Sequence, residues 1–187
     1  VVISTATQPA FEAIPIFAGI AAREIVPDPG RFFAALRRVE YEWRTERALT
    51  WAEVADLVRG ERQALAVLNT KKDALALLAA LGDPEARHLS TLLCGAHRRR
   101  VIAEVHRRLA AGERCHLVST QVIEAGVDLD FPLALRALGP LDGIIQTAGR
   151  CNREGRLARG RVIVFRPAEG GMPKGALLDP ADVRRIA

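Results

Sequence analysis

Short apolar runs alternate along this chain with stretches that repeat at helical period, and each run ends in a few polar or glycine residues. Residues 64–68 (ALAVL), 115–118, 133–138 and 161–165 are apolar runs too short for helices, and they read as strands covered on both faces. Residues 88–93 are a further strand candidate, and residues 39–43 another. Between them, helical spacing predicts helices over 31–38, 71–81, 96–111 and 141–149. Thr50 and Glu53 form a capping-box pattern that opens one more helix, closed by Gly60. Asn69 or Thr70 caps the 71–81 helix, which Gly82 ends, and Gly112 ends the 96–111 helix. Residues 1–7 read as the end of a strand. Pro9, Pro15, Pro27, Pro29 and Gly30 make 8–30 a linker, and the tail beyond 165, rich in Pro and Gly, reads as loop. Strands alternating with helices indicate βαβ units: an α/β fold whose parallel sheet carries helices on both faces.

In an open parallel sheet, ligands bind beyond the carboxyl ends of the strands. The residues to inspect there are Ser4-Thr5-Ala6-Thr7, Asn69-Thr70-Lys71, Thr91 and Ser119-Thr120-Gln121. One such hydroxyl or amide is a helix cap; a set of them after separate strands suggests a shared binding edge. The stretch 118–156 adds glycines and guanidinium groups at spacings an ordinary helix does not use. Gln146, Arg150 and Arg153 recur around Gly149, close after a Glu124-Ala125-Gly126-Val127-Asp128 turn. Arginine meets phosphate with a planar, permanently charged fork, and glycine admits backbone close to a ligand. Locally this reads as a phosphate site built from two loops.

Composition narrows the class. The chain of 187 residues is 49% hydrophobic and 26% charged, enough for a folded core and one domain, with a fragment of a neighbour. No apolar run spans a bilayer, and the opening VVISTATQP lacks the basic segment of a secretory signal; it reads as a piece cut from a longer protein. The net charge of +5 rests on arginine, since only Lys71, Lys72 and Lys174 are lysines. Arg98, Arg99, Arg100, Arg107, Arg108 and Arg114 form one cluster, and Arg150, Arg153, Arg156, Arg159 and Arg161 another; either reads as a solvated basic face or a nucleic-acid footprint. Cys94, Cys115 and Cys151 suit a reducing cytoplasm rather than a disulfide frame. The histidines lie beside basic residues without carboxylates at ligand spacing, so no metal site is expected. Trp43 and Trp51 are expected to pack rather than stack on bases.

The segments STATQP, LNTKKDA, HLSTLLCGAHR, STQVIEAGVDLDFP and QTAGRCNREGR, in that order, resemble motifs III, IV, IVa, V and VI of superfamily 2 helicases. The last two together resemble the CRISPR-associated helicase-nuclease of type I systems. The resemblance implies a RecA-like fold, with residues 1–30 as the end of a first RecA-like domain (motif III) and a linker, and 31–187 as the second, helicase C-terminal domain. It implies ATP held between the two domains, with magnesium ligands in the first. Arg150 and Arg153 would reach the γ-phosphate as arginine fingers, Arg153 foremost, with Gln146 orienting them. Gly126 and Asp128 would meet the nucleotide, Asp128 accepting from a ribose hydroxyl or orienting an arginine, and Glu124 would pair with a nearby cation. Asn69, Thr70, Thr91, Arg98 and Thr120 would grip the backbone of single-stranded DNA, a contact that sets register rather than sequence. Asp130 and Pro132 read as turn residues.

The resemblance further implies an ATP-dependent helicase or translocase of CRISPR antiviral defence, recruited to an RNA-guided target-recognition complex. No G-x-x-x-x-G-K-[ST] phosphate loop, acidic box or His-Asp nuclease cluster occurs in these residues. The chain is therefore expected to supply half an ATPase site and to be inactive alone. Two other readings stand beside it: a repair or restriction translocase of the same superfamily, and a non-catalytic nucleic-acid-binding module.

Overall fold

The computed structural model describes residues 25–124 and 126–170, together with Pro15. The expected strand end at 1–7, the motif at STATQP, most of the 8–30 linker and the tail beyond 170 lie outside the described residues. The chain divides after Arg37. In the first unit, α1 (Pro29–Ala35) has Pro at its first position, and the Asp28 carboxylate accepts from the Arg31 N–H.

The second unit carries six parallel strands in the order β1-β6-β5-β2-β4-β3. They are β1 (Val39–Leu49), β2 (Gln63–Val67), β3 (Arg87–Leu89), β4 (Cys115–Ser119), β5 (Leu133–Ala137) and β6 (Gly160–Pro167). The connecting helices are α2 (Trp51–Arg59), α3 (Lys71–Leu81), α4 (Gly95–Ala110) and α5 (Leu141–Ala148). Strand pleat sends successive side chains to opposite faces, and β2 shows the consequence. Ala64, Ala66 and Leu68 pack with Val54, Ala55, Ala74 and Leu77 of α2 and α3, whereas Leu65 and Val67 pack with Val101, Val105, Ile144 and Ala148 of α4 and α5. Both faces of the sheet are thus covered, which is why the central strands read as continuous apolar runs. Trp51 lies in the core, and half-buried Trp43 stacks on Tyr41 at 5.9 Å.

Local chemistry sets most boundaries as expected. Thr50 and Glu53 form the capping box of α2, Thr70 caps α3 by accepting from the Asp73 N–H, and Gly82 ends α3 with φ 58°. Two strands differ. The strand foreseen over 39–43 continues to Leu49, because its polar residues sit at a sheet edge where half of them meet solvent; its pairing with β6 slips between Arg44 and Ala48. The strand foreseen over 88–93 stops at Leu89. There the Ser90 carbonyl accepts from Leu93 and its hydroxyl from the Leu92 N–H, turning the chain into α4.

Candidate functional site

The order of the strands places β2 between β4 and β5, so the loops after these three strands converge at the carboxyl edge of the sheet. Asn69 follows β2. Its side-chain N–H donates to the Leu138 carbonyl at 2.8 Å, and its own carbonyl accepts from the Gln121 side chain at 3.1 Å. Thr120 follows β4, is 6% exposed, and donates its N–H to the Leu89 carbonyl at 3.1 Å. Ser119 also reaches Leu89, through its hydroxyl at 2.9 Å. Asn69, Thr70 and Thr120 therefore lie on one edge, where Asn69 joins the loops after β2, β4 and β5. Thr91 is exposed on the turn into α4, and Arg98 is half-buried on the first turns of that helix.

The first arginine cluster splits along α4. Arg107 pairs with Glu104 and Glu113, and Arg108 with Glu104 and Glu85, so the guanidinium charges are compensated; hydrogen bonds from these arginines hold the Glu104 carboxyl down to about 2 and lower that of Glu113. Among the described residues, Arg98, Arg99 and Arg100 have no ion-pair partner. Within this cluster, the uncompensated charge therefore lies on the first turns of α4.

The segments around Gly126 and Arg150 are laced together by backbone and side chain. Phe131 and Cys151 form a parallel bridge: the Phe131 N–H donates to the Arg150 carbonyl and the Asn152 N–H to the Phe131 carbonyl, each at 2.9 Å. Asp130 accepts from the N–H of Arg153 at 2.7 Å and of Glu154 at 3.3 Å. Arg150 is 8% exposed, and its guanidinium donates to the carbonyls of Ile123 at 3.1 Å and Glu124 at 2.7 Å. Burial, then the neighbouring Arg153, pull its pKa down, while Asp128 and Glu124 oppose them. Arg153 is exposed, with Nε 2.6 Å from an Asp128 carboxylate oxygen. Gly126 sits at φ 69° with none of the described residues within 4 Å of where a Cβ would stand, so the left-handed backbone calls for glycine there. Gln146 is half-buried on the last turn of α5. Arg150, Arg153, Asp128 and Gly126 are thus brought together, whereas Arg156 pairs with Glu154, and Arg161 with Glu61 and Glu42.

Three residues of this region escaped the sequence reading. Asp130, taken as a turn residue, fixes the backbone that carries Arg153. Asn152 adopts φ 46°, is 2% exposed, and holds the Arg38 and Leu157 carbonyls and the Leu157 N–H, each at 2.9 Å. Its signal was an Asn between two arginines, a residue type that tolerates left-handed backbone. Arg136 is 1% exposed and supplies the cation for Glu124, with 3.5 Å between Nη2 and Oε1; a lone Arg in the apolar run LALRAL was the visible sign.

A family model described as CRISPR-associated nuclease/helicase Cas3, C-terminal, matches residues 60–156, more than half of the chain. The chain belongs to this family. The match contains every candidate residue named above from Asn69 to Arg153. A CRISPR-associated nuclease/helicase Cas3 of Haloferax volcanii is 45% identical over 74 residues, 38% of this chain and 8% of that protein. The crystal structure of T. fusca Cas3-ATP superposes with a TM-score of 0.58 at 21% identity, covering 74% of this chain and 19% of that one. A chain of the CRISPR RNA-guided surveillance complex, pre-nicking, gives 0.54 at 20% identity, over 80% of this chain and 21% of that one. At these identities the structural likeness is one of fold, the RecA-like α/β domain of helicases. This Cas3-family chain spans a small part of its relatives' length.

Proposed function

We propose that residues 31–187 are the second RecA-like domain of an ATP-dependent DNA helicase or translocase of CRISPR defence, with 1–30 as the end of the first domain and the connection to it. The observation that carries the reading is the lacing of the Gly126–Asp130 segment to the Arg150–Glu154 segment, which leaves one guanidinium, Arg153, exposed beside Asp128. The donor set suits a nucleotide's phosphates. Arg150 has turned its N–H groups onto the Ile123 and Glu124 carbonyls and so holds the loop, while Arg153 stays exposed, its Nε on Asp128 and its Nη1 making a long 3.4 Å contact with the Gly149 carbonyl. ATP supplies the phosphoryl group passed to water. Arg153 would place fixed positive charge where negative charge grows, Arg150 and Gln146 would support it, and Gly126 and Asp128 would border the nucleotide. Magnesium ligands would come from the first domain in cis.

At the carboxyl edge, Asn69, Thr70, Thr91, Arg98 and Thr120 would track the backbone of single-stranded DNA. The uncompensated charge of Arg98 to Arg100 supports this, and binding of this kind weakens steeply with salt. The whole protein would work in the cytoplasm with an RNA-guided target-recognition complex. In the full-length protein, Arg153→Ala should lower DNA-stimulated ATP turnover by about 10³-fold, the ordinary contribution of an arginine finger, and spare single-strand binding. Wild-type turnover in that variant would refute the assignment.

A further inference from the structure

Arg136 belongs neither to the ATP-facing group nor to the strand-facing group, yet it is the bulkiest of the fully buried side chains among the described residues. Withdrawing a permanently charged guanidinium from water is among the least favourable placements a fold makes. The compensation is incomplete. Arg136 donates to Asn69 Oδ1 at 2.7 Å and to the Ala137 carbonyl at 2.9 Å, but its Nε has no hydrogen-bond partner. Glu124 Oε1 lies 3.5 Å away and is itself without a hydrogen bond. An apolar side chain would pack the same position of β5 without stranding these groups.

What the arginine does instead is join separate loops. Asn69 stands at the strand-facing edge after β2. Glu124 stands in the turn after β4, and its carbonyl accepts from Arg150 of the ATP-facing loop at 2.7 Å. Room for the guanidinium is left on α5 and before it. A Cβ at Gly143 would come within 2.7 Å of Arg136 Nη2 and 3.1 Å of Glu124 Oε1, and one at Gly139 within 2.9 Å of Asn69 Oδ1. The 3.5 Å ion pair is longer than a direct charge-assisted hydrogen bond. One bond of the network is therefore unmade, and whether it closes depends on where Asn69 and the turn at Glu124 sit.

We propose that Arg136 is a positioning residue that couples the two ligands: through Asn69–Arg136–Glu124–Arg150 it makes the placement of the ATP-facing arginines depend on occupancy of the DNA-facing edge. The coupling rests on the helicase reading above. Its test uses the full-length protein with Glu124→Gln, which removes the charge at constant shape, and Gly143→Ala, which pushes the pair apart while keeping every functional group. ATP turnover is measured without and with a single-stranded oligonucleotide, together with oligonucleotide affinity and thermal unfolding. In a folded variant, turnover without DNA, KM for ATP and oligonucleotide affinity stay at wild-type values, while stimulation by DNA falls about tenfold, an ordinary size for coupling between two sites. Full stimulation in either folded variant overturns the proposal. So does failure of both to fold, which would make the pair a part of the core alone. Wild-type protein whose turnover ignores DNA would instead overturn the helicase reading itself.

Discussion

Asp130→Ala removes the carboxylate that accepts the Arg153 N–H at 2.7 Å and the Glu154 N–H at 3.3 Å. A hydrogen bond to a charged group contributes about 1.5–3 kcal/mol net when well formed. Here the second bond is long and Asp130 is half-buried, so water replaces part of what is lost. The expected cost is about 1–2 kcal/mol, concentrated in the loop that carries Arg153. Every 1.4 kcal/mol is a factor of ten, so opening of this loop should become about 5- to 30-fold more frequent. Amide exchange at Arg153 and Glu154, measured on the full-length protein, should accelerate by that factor, while β2 and β5 keep their protection. On the role proposed for Arg153, ATP turnover of the full-length protein should fall about ten- to a hundredfold with KM little changed, because small misplacement of a catalytic group is costly. Asp130→Asn retains an acceptor for the shorter bond and should fall between wild type and Ala. Unchanged exchange at these two amides, or wild-type kcat with exchange accelerated, would refute the claim that Asp130 presets Arg153.

A Cβ at Gly160 would stand 2.7 Å from both Cys151 Sγ and Asn152 Cβ, so Gly160→Ala should destabilise the protein by about 2–3 kcal/mol; a melting temperature equal to wild type would contradict this. The Glu53 carboxyl is held down to about 2 by the Thr50 N–H and by Arg47, below its ordinary 4.5. Its stabilising effect is thus complete above about 4.5 and lost as pH falls toward about 2, so the difference in melting temperature between wild type and Glu53→Gln should shrink over that interval. A constant difference would show that the capping box does not titrate. Burial pushes the Cys115 thiol up to about 11 and the Cys151 thiol up to about 12, whereas Cys94 is exposed. Alkylation mapped by mass spectrometry in native protein should therefore modify Cys94 well before the other two; equal rates would mean that the core opens readily.

The layout of the fold was legible because its causes are local or periodic. Continuous apolar runs such as 64–68 belong to strands covered on both faces, and Thr50, Thr70 and Gly82 announce helix ends through hydrogen bonds within a few residues. The polar half of β1 was not legible. Its residues hold a strand only by pairing with β6, more than a hundred positions away, and an edge strand needs no apolar pattern on its open side. At 88–93 the reverse held: apolar residues continued past Leu89, but Ser90 turned the chain through its own hydroxyl and carbonyl.

The chain alone determined the α/β class, the helicase-like order of its motifs and the candidates Arg150, Arg153, Gly126 and Asp128, since residue types and spacings carry that information. It put Arg153 ahead of Arg150 by family resemblance alone, with no physical reason for the order. Only the tertiary structure buries Arg150 against the Ile123 and Glu124 carbonyls and leaves Arg153 exposed beside Asp128. Nor did it give Asp130, Asn152 or Arg136 a task, because each acts on a partner brought near by the sheet: 23 positions away for Asp130 and Arg153, 67 for Arg136 and Asn69. Hydrogen bonds and ion pairs depend on distance in space, and the parallel topology decides which distant segments share an edge.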